Sequence, residues 1–165
     1  IGRDYFYMGY LDEKTFASTN EANLELALNL DLGSSEFVYV RGKLMIKINP
    51  IYFDLDKSYI RPDAELELER VVRIMQKYPE LKINLGSHTD SRARDAYNWS
   101  LSTRRARSSK NWIVRQGIDP SRIKAEGFGE TELVNKCLNG VNCSEDDHQL
   151  NRRTEFVIVN PEVIK

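Results

Sequence analysis

Asp90 and Arg105 are the two charged residues whose placement indicates ligand binding rather than ordinary surface charge. Arg105 lies in a stretch with helical spacing, where it falls in the same stripe as Leu101 and Trp112. A buried guanidinium is costly unless an anion meets it, and its planar fork suits a carboxylate. Arg105 therefore predicts a carboxylate-binding position within the domain.

Arg105 also has two purely structural interpretations. It can form a buried salt bridge with a nearby acid, or its guanidinium can extend to the surface above a buried stem. Helical periodicity alone favours these interpretations over a ligand pocket.

Asp90 follows residues 81–85, which alternate as a strand, in the polar turn predicted for residues 86–90. In α/β folds the carboxyl end of a strand is a common place for ligand sites, although Asp is also a common turn or cap residue. An aspartate would hold an ammonium group where Arg105 holds a carboxylate. The pair predicts a clamp for the head group of a free amino acid.

Hydrophobic periodicity indicates the elements that would position this clamp. Helices are predicted from about residue 62 to 78 and from 98 to 116, the second ending at Gly117. Strands are predicted over residues 44–48, continued by 51–53, and over 81–85, 122–125 and 156–159. The resulting order indicates an α/β fold, a two-layer β-α-β-α-β-β sandwich with helices on one face of a mixed sheet.

Residues 1–42 are expected to form a separate β-rich segment, or the tail of a preceding module with a linker. Residues 5–8 and, by strict alternation, 24–30 favour strands, and 31–35 favour a turn. We expect the functional domain to span residues 43–165.

The composition is that of a globular protein, with 41% hydrophobic residues, 30% charged residues and a net charge of −1 over 165 residues. This length fits one full domain with an appendage. No run approaches the ~20 apolar residues of a membrane span, and no signal peptide is visible. The chain begins at Ile1 rather than Met, so we expect a fragment or a processed form. The missing signal therefore does not report the compartment.

Five short motifs follow one another between residues 43 and 160. They are FDLDKS at 53–58, HTD at 88–90, Asn98 followed by LSTRRA at 101–106, GFGE at 127–130 and NRRTE at 151–155. In this order they resemble the signature of the OmpA-like peptidoglycan-binding domain of the OmpA/Pal/MotB family.

The resemblance implies a ligand and the residues that bind it. In the family, the Asp after the Thr and the Arg of the LSxxRA motif clamp the diaminopimelate of the peptidoglycan stem peptide. Those positions are Asp90 and Arg105 here. The family positions that build or border the pocket correspond to Phe53, Asp54, Thr89, Asn98 and Leu101. Arg153 corresponds to the element that supports the site, with Arg152 the less certain member of that pair.

The chain departs from the family pattern at three places. Ser87 replaces a common glycine, a change that we expect to be tolerated. Residues 91–94 replace a glycine-containing turn and add two cations, Arg92 and Arg94, which we expect to be solvated surface charges. The loop with Cys137 and Cys143 is an insertion, similar to loops in OmpA-like proteins of the Bacteroidetes type.

The two cysteines have three interpretations. An oxidising periplasm favours a disulfide between Cys137 and Cys143. Two free thiols are the plainer alternative, and a zinc site with His148 is disfavoured because the ligands are few and irregularly spaced. We expect no metal and no cofactor.

The resemblance implies equilibrium binding of peptidoglycan by a periplasmic domain attached to the outer membrane through parts absent from this chain. A stator or lipoprotein anchor would use the same domain. We expect no enzyme: Asp54, Asp56, Asp90 and His88 are imaginable hydrolytic groups, but no nucleophile elbow, phosphate loop or HExxH motif is present.

Nucleic-acid binding is the remaining alternative. Residues 92–115 contain seven Lys or Arg residues and one acid. Several of these cations fall on one solvated helix face, the net charge is near zero and no recognition motif is present, so we expect no nucleic-acid partner. The residues do not indicate an oligomeric state.

Overall fold

The computed structural model of the protein describes residues 36–54 and 56–164. The strands predicted at residues 5–8 and 24–30, and the turn at 31–35, lie outside the described residues. Within them, five strands form one sheet in the order β1-β2-β5-β3-β4. The strands are β1 (Phe37–Val40), β2 (Lys43–Ile46), β3 (Ile83–His88), β4 (Ile123–Gly129) and β5 (Thr154–Ile158).

The sheet is mixed, because β3 and β4 run parallel whereas β1–β2, β2–β5 and β3–β5 are antiparallel. The described helices are α1 (Pro62–Lys77), α2 (Asp95–Arg115) and α3 (Glu145–Asn151). Apart from the strand predicted at 51–53 and the additional α3, the order from β2 onward is the predicted one, and the mixed α/β fold class is confirmed. None of the helices within the described ranges is long and apolar enough to span a membrane.

The hydrophobic core lies between the sheet and the helices α1 and α2. Alternate residues of β3 and β5 face it, and helix α1 contributes residues at helical spacing. Its fully buried members include Leu68, Val71, Met75, Ile83, Leu85, Ile113 and Phe156.

Residues 51–53 were predicted as a strand, and this is wrong. Ile51 is buried in the core but pairs with no described strand. Just before this segment, the Asn49 backbone N–H donates to the Glu67 carboxylate on α1 at 2.9 Å instead of to a neighbouring strand. The apolar pattern of this segment therefore reports burial against the helices and not strand pairing.

Helix α3 was expected to be part of a polar loop. It has seven residues, three of them acidic, and no apolar stripe that would reveal a helix. Its one signal in the sequence is the capping box at its start, in which the Ser144 hydroxyl accepts from the Asp147 backbone and Asp147 accepts in return.

The glycine-rich motif at 127–129 lies within β4 and not in a turn after it. Helix α2 crosses this strand so closely that a Cβ atom at Gly127 would lie 2.2 Å from the Thr103 backbone nitrogen. Only glycine fits this position, so the motif fixes the distance between α2 and the sheet.

Strand β1 lies before residue 43, where we predicted the functional domain to begin. It pairs with β2 across a two-residue turn, Arg41 and Gly42, both with positive φ. The division of the chain between residues 1–42 and 43–165 stays a prediction, with β1 as an edge strand of the sheet.

Candidate functional site

Arg105 lies on the buried face of α2, as its position in the helical period predicts. Its exposed fraction is 7%, and it shares this face with Leu101 and Ile113. The cations Arg104 and Arg107 lie on the exposed face. Burial of this arginine is therefore a property of the fold and not of a local distortion.

The guanidinium of Arg105 is held by an aromatic ring and by backbone carbonyls. It lies 4.8 Å from the ring centroid of Phe53, a cation–π arrangement. Nε donates to the Lys57 carbonyl at 3.1 Å, and Nη2 donates to the Asp54 carbonyl at 3.3 Å. Arg105 forms no ion pair with any residue that the structure describes, and burial lowers its pKa from the ordinary value. Neither the salt-bridge nor the surface interpretation fits this geometry.

A small hollow of about 40 Å³ opens beside this guanidinium. A water molecule occupies about 30 Å³ in the liquid, so the hollow admits one small group. The hollow is cationic, because three arginines are among its lining residues, which are Ile51, Tyr52, Phe53, His88, Arg105, Gln149, Arg152, Arg153 and Thr154. A carboxylate group matches both its size and its charge.

Asp90 follows the end of β3 and is also buried, with an exposed fraction of 8%. Its carboxylate accepts hydrogen bonds from the Arg92 backbone nitrogen at 3.1 Å, Arg92 Nη2 at 2.9 Å and Arg152 Nη1 at 2.6 Å. Burial by itself would raise the pKa of Asp90, but the hydrogen bonds from Arg92 and Arg152 lower it to about 2. Asp90 is therefore ionised and already neutralised.

Glu145, the first residue of α3, completes a network of two acids and two arginines. It accepts from Arg92 Nη1 at 2.8 Å and also pairs with Arg152. Arg152 lines the hollow of Arg105 and bonds to Asp90, so it joins the two halves of the predicted clamp. The motif comparison treated Arg152 as the less certain arginine, and Glu145 gave no signal in the sequence.

Three predicted site residues support Asp90 or α2. Asn98 Nδ2 donates to the Asp90 carbonyl at 3.0 Å and also to the Glu130 carboxylate. The Thr89 backbone nitrogen donates to the Gly129 carbonyl at 2.8 Å, which fixes the turn after β3. Leu101 is buried on the inner face of α2 and is not among the residues that line the hollow.

The remaining two predicted residues lie on the Arg105 side. The Asp54 side chain pairs with Arg61 at 2.9 Å, so only its backbone carbonyl faces Arg105. Arg153 lines the hollow, and its Nε donates to Glu155 at 2.7 Å. Burial lowers the pKa of Arg153 and Glu155 offsets this only in part.

His88 is the last residue of β3, whereas we expected it in a turn. Its ring stacks on Phe128 with centroids 5.1 Å apart, and neither ring nitrogen has a hydrogen-bond partner among the described residues. Burial, followed by the positive charge of Arg153, lowers the pKa of His88 to about 3. A neutral imidazole therefore forms part of the hollow.

Cys137 and Cys143 form a disulfide, with Cα atoms 5.9 Å apart, as the expected oxidising compartment predicts. Because both sulfurs are bonded to each other, they offer no thiolates to a metal, and the zinc alternative with His148 does not apply to this state. Ser91 Oγ donates to the Cys137 carbonyl at 2.5 Å. The disulfide loop is thereby fastened to the turn that contains Asp90.

Comparison with known proteins gives the same assignment as the geometry. Residues 52–145, more than half of the chain, match the OmpA family. The chain belongs to the OmpA family. This membership agrees with the prediction that it is not an enzyme, and with the expected fold. A MotB-like protein of Desulfovibrio vulgaris superposes with a TM-score of 0.63 at 25% identity, over 88% of this chain and 91% of that structure.

Three curated relatives show that this OmpA-family sequence occurs within longer proteins. The chain is 38% identical to outer membrane porin F of Pseudomonas fluorescens over 70% of this chain and 32% of the porin. It is 33% identical to the peptidoglycan-associated lipoprotein of Brucella melitensis, over 53% of this chain and 52% of the lipoprotein. It is 39% identical to the photosystem I P700 chlorophyll a apoprotein A2 of Gloeobacter violaceus, over 70% (71% as aligned) of this chain and 14% of that protein. The chain thus spans about half or less of these relatives.

Proposed function

We propose that this OmpA-family domain binds peptidoglycan non-covalently through the diaminopimelate of the stem peptide. In this role it attaches an outer membrane, or a protein in it, to the cell wall from the periplasm. A relative named for its association with peptidoglycan and another named as an outer membrane porin support this proposal. The proposed binding unit is residues 43–165 together with β1.

The observation that carries the proposal is the buried guanidinium of Arg105. Nε and Nη2 are held by carbonyls, whereas Nη1 donates to no residue that the structure describes. A carboxylate entering the hollow would accept from Nη1 and meet Arg152 and Arg153 on its other sides. The free end of diaminopimelate bears a carboxylate and an ammonium on one carbon, which is the charge pair that such a site requires.

Asp90 would receive the ammonium of the same ligand. Its oxygens already accept from two guanidinium groups, so the ammonium must replace one of them. Arg92 is the one that can leave, because its side chain is 50% exposed and that of Arg152 is 23% exposed. One cation would replace another on Asp90, so the carboxylate would stay neutralised throughout the exchange.

The other predicted residues would act through these two. Phe53 and the Asp54 carbonyl would hold the Arg105 guanidinium, and Asn98 and Thr89 would fix the backbone of Asp90. Arg153 would line the carboxylate end, and Leu101 would keep α2 in place.

A pulldown on insoluble peptidoglycan that contains diaminopimelate tests the proposal. Truncating one partner strands the other charge, so Asp90→Ala and Arg105→Ala should each lose about 2–5 kcal/mol of binding. Arg107→Ala removes an exposed cation from the same helix and should bind like the wild type. Free diaminopimelate should compete with wild-type binding.

Two results would contradict the proposal. One is a wild-type protein that is folded by circular dichroism but does not sediment with peptidoglycan. The other is normal binding by both truncated variants. The similarity to a MotB-like structure leaves a stator anchor as a second setting for the same binding reaction.

A further inference from the structure

A second cleft of about 460 Å³ lies between the turn after β3 and the disulfide loop. Ligand sites commonly have volumes of about 300–1,000 Å³, so this cleft can take more than a single group, unlike the hollow beside Arg105. Its lining residues are Ser91, Arg92, Ala93, Arg94, Asp95, Leu138, Asn139, Gly140, Val141 and His148.

One wall of the cleft is charged and the other is apolar. Arg92, Arg94 and the single lining acid, Asp95, form the first wall, and Arg94 makes no ion pair within the described ranges of the chain. Leu138 and Val141 form the second, with exposed fractions of 61% and 45%. The cross-link between the cysteines and the bond from Ser91 hold the two walls in place.

The interior of the cleft contains groups that favour an anion. Helix α2 begins here at Asp95, and Arg94 at its N-cap makes no side-chain capping bond. The amino end of a helix attracts negative charge. His148 is only 6% exposed, and its Nδ1 has no hydrogen-bond partner among the described residues, so it can donate to a ligand in the cleft. This orphan polar atom is the independent sign that the cleft is built for a partner.

Arg92 connects the cleft to the proposed clamp, because it lines the cleft and also bonds to Asp90. When a ligand ammonium takes its place on Asp90, the Arg92 guanidinium is released beside the cleft. It would then need a new anion, and a carboxylate close to that ammonium would supply one. The exchange on Asp90 and the occupation of the cleft would therefore favour each other.

We infer that this cleft binds a second carboxylate of the peptidoglycan stem peptide, outside the diaminopimelate head group. The inference rests on the proposed function, since it assumes that diaminopimelate occupies the clamp. In the stem peptide, diaminopimelate is joined to a glutamate with a free α-carboxylate and to a D-alanine whose carboxylate is terminal. Either carboxylate has the required chemistry, and a peptide backbone would contact the apolar wall.

Isothermal titration calorimetry with soluble ligands tests the inference. The ligands are free diaminopimelate, the tripeptide L-alanyl-γ-D-glutamyl-diaminopimelate, the same tripeptide with the glutamate α-carboxylate amidated, and the tetrapeptide extended by D-alanine. The proteins are the wild type, Arg94→Gln and Arg107→Gln, a matched loss of charge on the exposed face of α2.

Arg94→Gln should weaken binding of the peptide that supplies the carboxylate about threefold, as expected for a partly exposed ion pair. Its affinity for free diaminopimelate should not change, and Arg107→Gln should not change either. If the glutamate supplies the carboxylate, amidation removes the effect of Arg94→Gln. If D-alanine supplies it, the effect is present with the tetrapeptide alone.

Three results would overturn the inference. Equal affinities of Arg94→Gln and Arg107→Gln for every peptide would show that the cleft contributes nothing, while diaminopimelate binding by the wild type would leave the clamp standing. A loss that is the same for diaminopimelate and for the peptides would indicate a general charge effect. Failure of the wild type to bind any of these ligands would overturn both the cleft and the clamp.

Discussion

Arg105 and Asp90 are both buried charges at one site, but the protein satisfies them by different means. Arg105 has an aromatic ring and two carbonyls around it and no described acid. Asp90 has two arginines on its carboxylate, which a third charge, Glu145, holds in turn. Arg105 is thus ready for an anion, whereas Asp90 must give up an existing partner to accept a ligand.

The difference separates binding from stability at the two residues. A charge without an ionic partner contributes little Coulomb energy to the fold, and its replacement by an apolar side chain strands no other charge. A charge in a network contributes to the fold as well as to the ligand. Variants at the two positions should therefore differ in stability even where they are equally defective in binding.

Arg105→Met should show the largest effect, and on binding alone. Met keeps an unbranched apolar stem but removes the fork, so affinity for diaminopimelate should fall by about 2–5 kcal/mol. The free energy of unfolding in urea should stay within about 1 kcal/mol of the wild type, because no described acid loses a partner. A large drop in stability would reveal that the guanidinium is a structural group.

Asp90→Asn should lower both binding and stability. The pKa of Asp90 is about 2 in the folded protein, against an ordinary value of 3.8. A depressed carboxyl pKa stabilises the fold fully above pH about 4, and this contribution disappears as the pH falls towards 2. The variant should be roughly 2 kcal/mol less stable at pH 7 by urea unfolding, and the gap should close by pH 2. A gap that is independent of pH would place the loss elsewhere than in the ionised carboxylate.

Arg92→Ala should have the smallest effect and the opposite sign. If Arg92 competes with the ligand ammonium, its removal should strengthen binding of free diaminopimelate about threefold, the scale of a half-exposed ion pair. Calorimetry with the free amino acid measures this directly. Weaker binding by the variant would mean that Arg92 contacts the ligand and does not merely occupy its place.

The parts of the site that could be predicted from sequence are those that local rules determine. The helical period alone put Arg105 on the buried face of α2, and the motif comparison selected Asp90 and Asn98. The end of α1 at Lys77 and the positive φ of Gly117 after α2 also follow local rules of helix termination.

The parts that could not be predicted depend on contacts between distant segments. Arg152 bonds to Asp90 across 62 positions and Glu145 bonds to Arg92 across 53, and no local pattern encodes either pairing. The short acidic helix α3 brings both residues to the site, and it lacks the apolar stripe on which helix prediction depends. Arg92 was expected to be solvated surface charge, but its guanidinium is committed to Asp90 and Glu145.

Arg152 gives the proposed site a selectivity that neither charge has alone. It touches both the hollow and Asp90, so an anion that draws Arg152 towards Arg105 leaves Asp90 short of positive charge. That deficit is filled most easily by an ammonium on the same molecule. Acetate or methylamine alone would satisfy one end and disturb the other. The domain would then respond to the conjunction of the two groups, and the abundant simple ions of its surroundings would compete poorly with an amino-acid end.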